Sequence, residues 1–204
     1  MPISKGEPWG QPGPLPRHGV VVHTDAEARA VVTAARRAGE PIPPLGLLGG
    51  DLCRTLGGTG DEARLRSEDA MTVPVDLGAV LVDGRLHWFV AHLVARRGWW
   101  RGRVVAAMNA QYLGDWDVAP RGHPNDGRLD VLDADLPFDE RLQVRSRLKH
   151  GTHVPHPRID ERHQSAVQLE FDRPTPVHLD GHRLEHEARA LSIRVEPDAL
   201  TCVV

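Results

Sequence analysis

The alternation of apolar and polar positions changes period along the chain, and each change predicts a different kind of element. Val20, Val21 and Val22 form a β-branched run that reads as a strand. Thr24-Asp25-Ala26-Glu27 has the residue types of a capping box, and Ala28, Val31, Val32 and Ala35 follow at helical spacing. Gly39 and Pro41 stop that helix. Pro44-Leu45-Gly46-Leu47-Leu48 reads as a second strand, and Gly49-Gly50 turns into a short helix through Leu52 and Leu56. Strand, helix, strand, helix predicts a parallel pair of strands.

Beyond residue 70 the pattern becomes a series of short strands. Strands are predicted over 73–82, 86–94 and 103–108, with Asp83-Gly84 as a hairpin signal and Gly98 as a turn. Another follows Asp126-Gly127 through Leu129, Val131 and Leu132, and a helix over 138–149 interrupts. Strands resume over 166–171, 176–179, 191–195 and 200–204. Strands at this spacing argue for an antiparallel sandwich or barrel, and no internal repeat is visible.

Composition narrows the classes. The 204 residues suffice for one domain, or one domain and a small companion, and 40% apolar with 26% charged residues is the balance of a soluble globular chain. No apolar run approaches the roughly 20 residues of a membrane span. Residues 1–19 hold five prolines and four glycines, which predicts a flexible or extended tail and neither a signal peptide nor a targeting helix. The expected location is cytoplasmic, with peripheral membrane contact left open. A net charge of -3 speaks against nucleic acid as a partner. Cys53 and Cys202 lie among apolar neighbours and are expected as buried thiols, neither disulfide-bonded nor metal-bound.

Candidate chemistry comes from four places. Of the twelve histidines, His150, His153 and His156 recur by three and His178, His182 and His186 by four, but Pro155, Pro157 and Gly181 break the helices that would align them. A transition-metal site is not expected there. Arg96-Arg97-Gly98-Trp99-Trp100-Arg101 mixes indoles with guanidinium groups, a combination suited to a membrane interface and anionic headgroups, or to a hairpin with its tryptophans turned inward. Trp99, Trp100 and Arg101 are therefore candidates for lipid or membrane contact. The stretch from Asn109 through Asp126-Gly127 is rich in turn residues, and Asp180-Gly181 is a tight turn whose carboxylate could serve as a general base toward a hydroxyl.

Taken in order, these motifs resemble the diacylglycerol kinase and sphingosine kinase family of lipid kinases, chiefly its C-terminal domain. The residues that carry the resemblance are Asn109, Gly114, Ala119-Pro120, Asp126-Gly127, Gly151-Thr152-His153 and Leu179-Asp180-Gly181. Upstream, Val75-Asp76-Leu77-Gly78 and the run Leu47 through Gly57 are similar to a family strand and to its second nucleotide loop. The resemblance implies an α+β fold: a reduced α/β remnant of the nucleotide lobe over 20–70, then an antiparallel β-sandwich over 71–204. It also implies transfer of the ATP γ-phosphate to a lipid hydroxyl, with Asp180 as the base and Asp126 at a structural magnesium.

The nucleotide half departs from the family. Where the family has Gly-Gly-Asp-Gly-Thr, this chain has His23-Thr24-Asp25-Ala26-Glu27, so side chains stand where bare backbone would meet phosphate. Glu27 brings a negative charge and is placed to take the helix N–H groups itself. Gly49 and Gly50 join strand to helix without the family's Thr and Asn, and His182 stands where the family has Glu. ATP binding at His23, Thr24, Asp25, Gly49 and Gly50 is therefore not expected. Three readings stay open: a catalytically degenerate lipid-binding or regulatory relative, an active lipid kinase with an altered nucleotide site, and an assembly module that dimerises through the sandwich edge.

Overall fold

The computed structural model describes residues 9–204, so residues 1–8 of the expected tail lie outside the described residues. Residues 9–19 are packed and not loose. β1 (Gln11–Pro12) pairs antiparallel with residues 71–72, and Trp9 donates its indole N–H to the Pro74 carbonyl at 3.1 Å. Leu15 is buried with Leu65, Ala70 and Val203. Two apolar side chains anchor the segment, and a sheet edge tolerates its proline.

β2 (Val20–Val22) and β3 (Leu45–Leu47) form the predicted parallel pair, joined by α1 (Asp25–Ala38). Ala28, Val32 and Ala35 bury the inner face of α1. The helix ends where Gly39 adopts φ 70° and its N–H reaches the Ala35 and Arg36 carbonyls. α2 (Asp51–Thr55) follows, then the unpredicted single turn α3 (Glu62–Leu65), capped by the Asp61 side chain and held by buried Leu65.

The rest is antiparallel. Its strands are β4 (Met71–Val82), β5 (Arg85–Phe89), β6 (His92–Arg96), β7 (Val104–Met108), the small hairpin β8 (Tyr112–Leu113) and β9 (Trp116–Asp117), and β10 (Leu129–Ala134). α4 (Phe138–Leu148) leads into β11 (Ile159–Gln164), β12 (Ala166–Leu179) and β13 (His182–Val203). Among the described residues the main sheet has eleven strands, along the path β1-β4-β13-β12-β6-β7-β10-β11, with β5 beside β4, and β3 beside β13 and β2. Val80, Phe89, Leu93, Val105, Leu129, Leu179 and Ile193 meet in one core between its layers, as in a β-sandwich. The Phe89 ring lies on Gly78, where a Cβ would come within 2.2 Å of it. β3 joins the last residues of β13 in parallel, Leu45 beside Cys202, so the α/β segment extends the same sheet. Cys53 and Cys202 are buried free thiols, and burial pushes the Cys202 thiol up to about 12.

Three differences from the sequence expectation have physical reasons. The strand predicted over 86–94 is broken after Phe89, where a buried carboxylate takes the next three backbone N–H groups. β11 is an outer strand of largely exposed polar residues, which leaves no alternation to read. β13 starts far upstream of residue 191 because its first half, mostly exposed, pairs with β12 and with little else.

Candidate functional site

The starts of α1 and α2 meet at one end of the parallel pair. On α1 the capping box forms: Thr24 Oγ1 accepts the Glu27 N–H at 3.2 Å, and Glu27 Oε2 accepts the His23 N–H at 2.8 Å. On α2 the buried Asp25 carboxylate takes the N–H groups of Asp51 at 2.6 Å and Leu52 at 3.1 Å. Burial pushes Asp25 up to about 6; the two N–H donors oppose this, while the charges of Asp180 and Asp51 add to it. Gly50 sits at φ 95° with the Asp25 carboxylate 2.5 Å from where a Cβ would be, and a Cβ on Gly49 would strike the His23 carbonyl. Both glycines therefore serve close internal packing.

Asp180 lies beside them, in the turn after β12, at φ 49°. Its side chain is wholly buried. Its carboxylate accepts the N–H groups of Val90 at 3.0 Å, Ala91 at 2.9 Å and His92 at 3.1 Å, and Arg29 Nε is 3.6 Å away. Burial raises its pKa, against the pull of His92 and the three N–H groups. His92 Nε2 pairs with Asp51 Oδ2 at 3.0 Å. Burial works against the charge of His92, but Asp51 and the neighbouring carboxylates outweigh it and raise its pKa. The other bond of Asp51 is to the Gly114 N–H at 3.0 Å.

Asp25, Asp51, His92 and Asp180 thus line one cavity of about 430 Å³. Donor atoms of Asp25, Asp51 and His92 lie within 4.8 Å of one another, a spacing that a divalent cation could bridge, although each residue already has an internal partner. Sequence reasoning offers Asp180 as a candidate base and His23, Thr24, Asp25, Gly49 and Gly50 as a degenerate nucleotide site; Thr24, Asp25, Gly50 and Asp180 line this cavity, with His23 and Gly49 next to them in the chain. That reasoning misses Asp51, His92 and Arg29. Arg29 follows Asp25 by four residues, on the same helix face, which is a readable signal.

Asp126 lies elsewhere, and its surroundings do not fit magnesium. Its carboxylate accepts the Arg128 N–H at 3.0 Å and lies 3.0 Å from His163 Nε2, while His163 Nδ1 lies 3.1 Å from Asp130. An imidazole stands against the oxygen that a hard, oxygen-seeking cation would take. Nearby, Asp76 is buried and accepts the N–H groups of Gly127 at 2.7 Å and Asp198 at 2.9 Å.

Burial pushes Asp76 up to about 6, above the roughly 3.9 of an unfolded chain. The folded state therefore holds this proton more tightly than the unfolded one. The penalty is fully present above pH 6 and is relieved as the pH falls toward 4. We expect the stability of the wild type relative to Asp76→Asn to rise by about 1–2 kcal/mol from pH 7.5 to pH 5, read by urea denaturation at both pH values. A difference that stays flat would mean that Asp76 is not held protonated.

A second cavity, of about 110 Å³, opens on the outer face of β7 and β10 under α4. Ala106, Leu132, Val144 and Leu148 line its walls, and Trp99, Trp100 and Trp116 line it as well. Trp99 and Trp116 meet edge to face at 5.0 Å, and Arg145 lies 5.0 Å from the Trp100 ring. Arg141 of α4 is buried and ties the tryptophan loop down. Its Nε donates to the Leu136 carbonyl at 2.7 Å, Nη1 to the Trp99 carbonyl at 3.2 Å, and Nη2 to the Gly102 carbonyl. Trp99 and Trp100 are thus brought together at a pocket, with Arg101 exposed beside them on the loop. Leu113 of the β8–β9 hairpin lines both this pocket and the carboxylate cavity.

Residues 78–204 match the family model described as the YegS C-terminal NAD kinase beta sandwich-like domain. No curated protein matches the chain in sequence. Among solved structures, a provisionally assigned diacylglycerol kinase from Bacillus anthracis str. Sterne superposes with a TM-score of 0.69 at 16% identity, covering 91% of this chain and 77% of that one. A second structure with the same provisional description and source gives 0.65 at 15% identity, with the same coverage of each chain. A third, described as a diacylglycerol kinase of that organism, gives 0.61 at 18%, covering 91% of this chain and 75% of its own. At such identities the likeness carries the fold alone.

Proposed function

Because this chain belongs to the family of the YegS C-terminal NAD kinase beta sandwich-like domain, we propose that it is a catalytically degenerate relative of the diacylglycerol kinases that holds a lipid or acyl chain under Trp99 and Trp100. The observation that carries this reading is that the protein caps both helix starts facing the cavity itself, the Thr24 hydroxyl on α1 and the Asp25 carboxylate on α2. A helix start binds phosphate through free N–H groups and a favourable dipole. Here the N–H groups of Glu27, Asp51 and Leu52 are spent, and a phosphate would meet three aspartates. Asp180 is also poorly placed as a base, since four donors already surround it.

The lipid half of the reading rests on the apolar pocket and its rim. Trp100, Phe138 and Leu142 are among the exposed large apolar side chains, and the Trp100 and Phe138 rings are 5.9 Å apart. Arg101 and Arg145 border them, a mixture that suits peripheral contact with an anionic bilayer. No helix among the described residues is long and apolar enough to cross a membrane. One observation favours an active kinase instead: Asp25, Asp51 and Asp180 share a cavity large enough for a ligand.

Two measurements separate these readings. We expect no transfer of label from ATP with magnesium to a lipid extract, and no rise in melting temperature with ATP and magnesium. Label in lipid would establish the kinase reading. Vesicles containing phosphatidylglycerol are expected to bind and to shift the tryptophan emission. Trp99→Ser with Trp100→Ser should weaken that binding at least tenfold, about 1.4 kcal/mol, from lost apolar contact. If the double variant binds as the wild type does, the loop is not the lipid contact.

A further inference from the structure

The apolar pocket contains a buried polar side chain with unspent bonding capacity. His153 follows α4 in the Gly151-Thr152-His153 stretch and lines the pocket. It is 1% exposed, and neither ring nitrogen completes a hydrogen bond among the described residues. Burial pushes its pKa below the usual value, against a hydrogen-bonding contribution from the Val118 backbone. The ring is therefore neutral at pH 7, with one N–H donor and one bare acceptor nitrogen. Of the two arginines at the pocket, Arg141 is held by three carbonyls, and Arg145 is exposed and lies over the Trp100 face.

A buried imidazole that has the Val118 backbone beside it but completes no well-formed hydrogen bond is costly, and such groups usually meet a ligand or an ordered water. We propose that His153 recognises a hydroxyl carried on the alkyl chain that fills this pocket, so that the preferred ligand is a hydroxylated acyl or alkyl chain. The inference rests on the reading of the pocket as a chain site. A hydroxyl is the group that fits, because it both donates and accepts and so can serve either ring nitrogen. A carboxylate driven down to the buried ring would be desolvated in an apolar space, since Arg141 is held by three carbonyls and Arg145 is exposed, which is strongly unfavourable. The cavity of about 110 Å³ admits a short alkyl segment, being somewhat smaller than the roughly 150 Å³ that holds a benzene.

The test uses the full chain and tryptophan fluorescence, since Trp99, Trp100 and Trp116 border the pocket. Dodecanoic acid is compared with ω-hydroxydodecanoic acid, together with the decanoic and octanoic pairs. One hydroxylated acid is expected to bind about tenfold more tightly than its parent. His153→Phe should remove that preference while still binding the parent. Because this variant could fail to fold, imidazole nitrogen resonances of the wild type are followed as well. The His153 signals should move with the hydroxylated acid and stay put with its parent. Parent and hydroxylated acids binding equally, with no selective shift of His153, would overturn the proposal and leave the pocket reading intact. A folded His153→Phe that keeps the preference would overturn it in the same way. If none of the acids binds, the pocket reading itself fails, and this inference with it.

Discussion

Replacing Asp180 with alanine is expected to lower the unfolding free energy by about 3–5 kcal/mol. The change would strand the N–H groups of Val90, Ala91 and His92, which are buried, and leave Arg29 facing an empty space. Those N–H groups lie at the break between β5 and β6, where neither strand offers them a carbonyl. Asp180→Asn should cost less, about 2 kcal/mol, since its amide oxygen can keep the Ala91 and His92 N–H groups while its NH₂ group faces the Val90 N–H. Urea denaturation of both variants checks this, and an unchanged midpoint for the alanine variant would remove Asp180 from the architecture. The consequence for any activity assay is direct. Loss of turnover in Asp180→Asn counts as loss of a base only if the variant is shown to be folded under the assay conditions.

The second large effect is expected at Arg141. Arg141→Met keeps the apolar stem but withdraws the guanidinium from the carbonyls of Leu136, Trp99 and Gly102. We expect a loss of about 2–4 kcal/mol, from charge-assisted bonds that disappear and carbonyls that must find water. Lysine cannot replace the planar fork, because one ammonium does not span three carbonyls spread over the loop and the helix start. Arg141→Lys should therefore recover less than half of the loss. The tryptophan loop is the part that comes free, so weaker vesicle binding should accompany the lower melting temperature. A variant that melts early yet binds vesicles normally would show that the loop needs no clamp.

Much of this architecture is written in local patterns. The capping box at Thr24–Glu27, the helix stop at Gly39 and the Asp83-Gly84 hairpin are each set by neighbours in sequence, and each forms as expected. Asp83 and Gly84 take φ 46° and 84°, as a tight hairpin turn requires. The positions that the sequence does not disclose are those decided by distant partners. Nothing within 86–94 signals a break, because its cause sits at Asp180. Asp51 and His92 are 41 residues apart and have no meaning as a pair until the sheet forms. Arg141 reads as one more charge on a polar helix, since its partners are backbone carbonyls that any sequence would supply. A tight turn at Asp180-Gly181 is legible from its residue types, and it forms between β12 and β13. Those residue types do not show that the chain buries that carboxylate under its own backbone.

The junction of β3 with β13 bears on the order of events during synthesis. Leu45 and Gly46 gain their second sheet neighbour only from Cys202 and Val203, about 157 residues later in the chain. Until those residues have been made, β3 has β2 as its strand neighbour and its other side offers an unpaired edge, although α1 can already pack on β5. Closing so long a loop is entropically slow, and an open edge is a site for wrong pairings. A growing chain paused before residue 200 would thus carry an exposed strand edge that the complete sheet conceals.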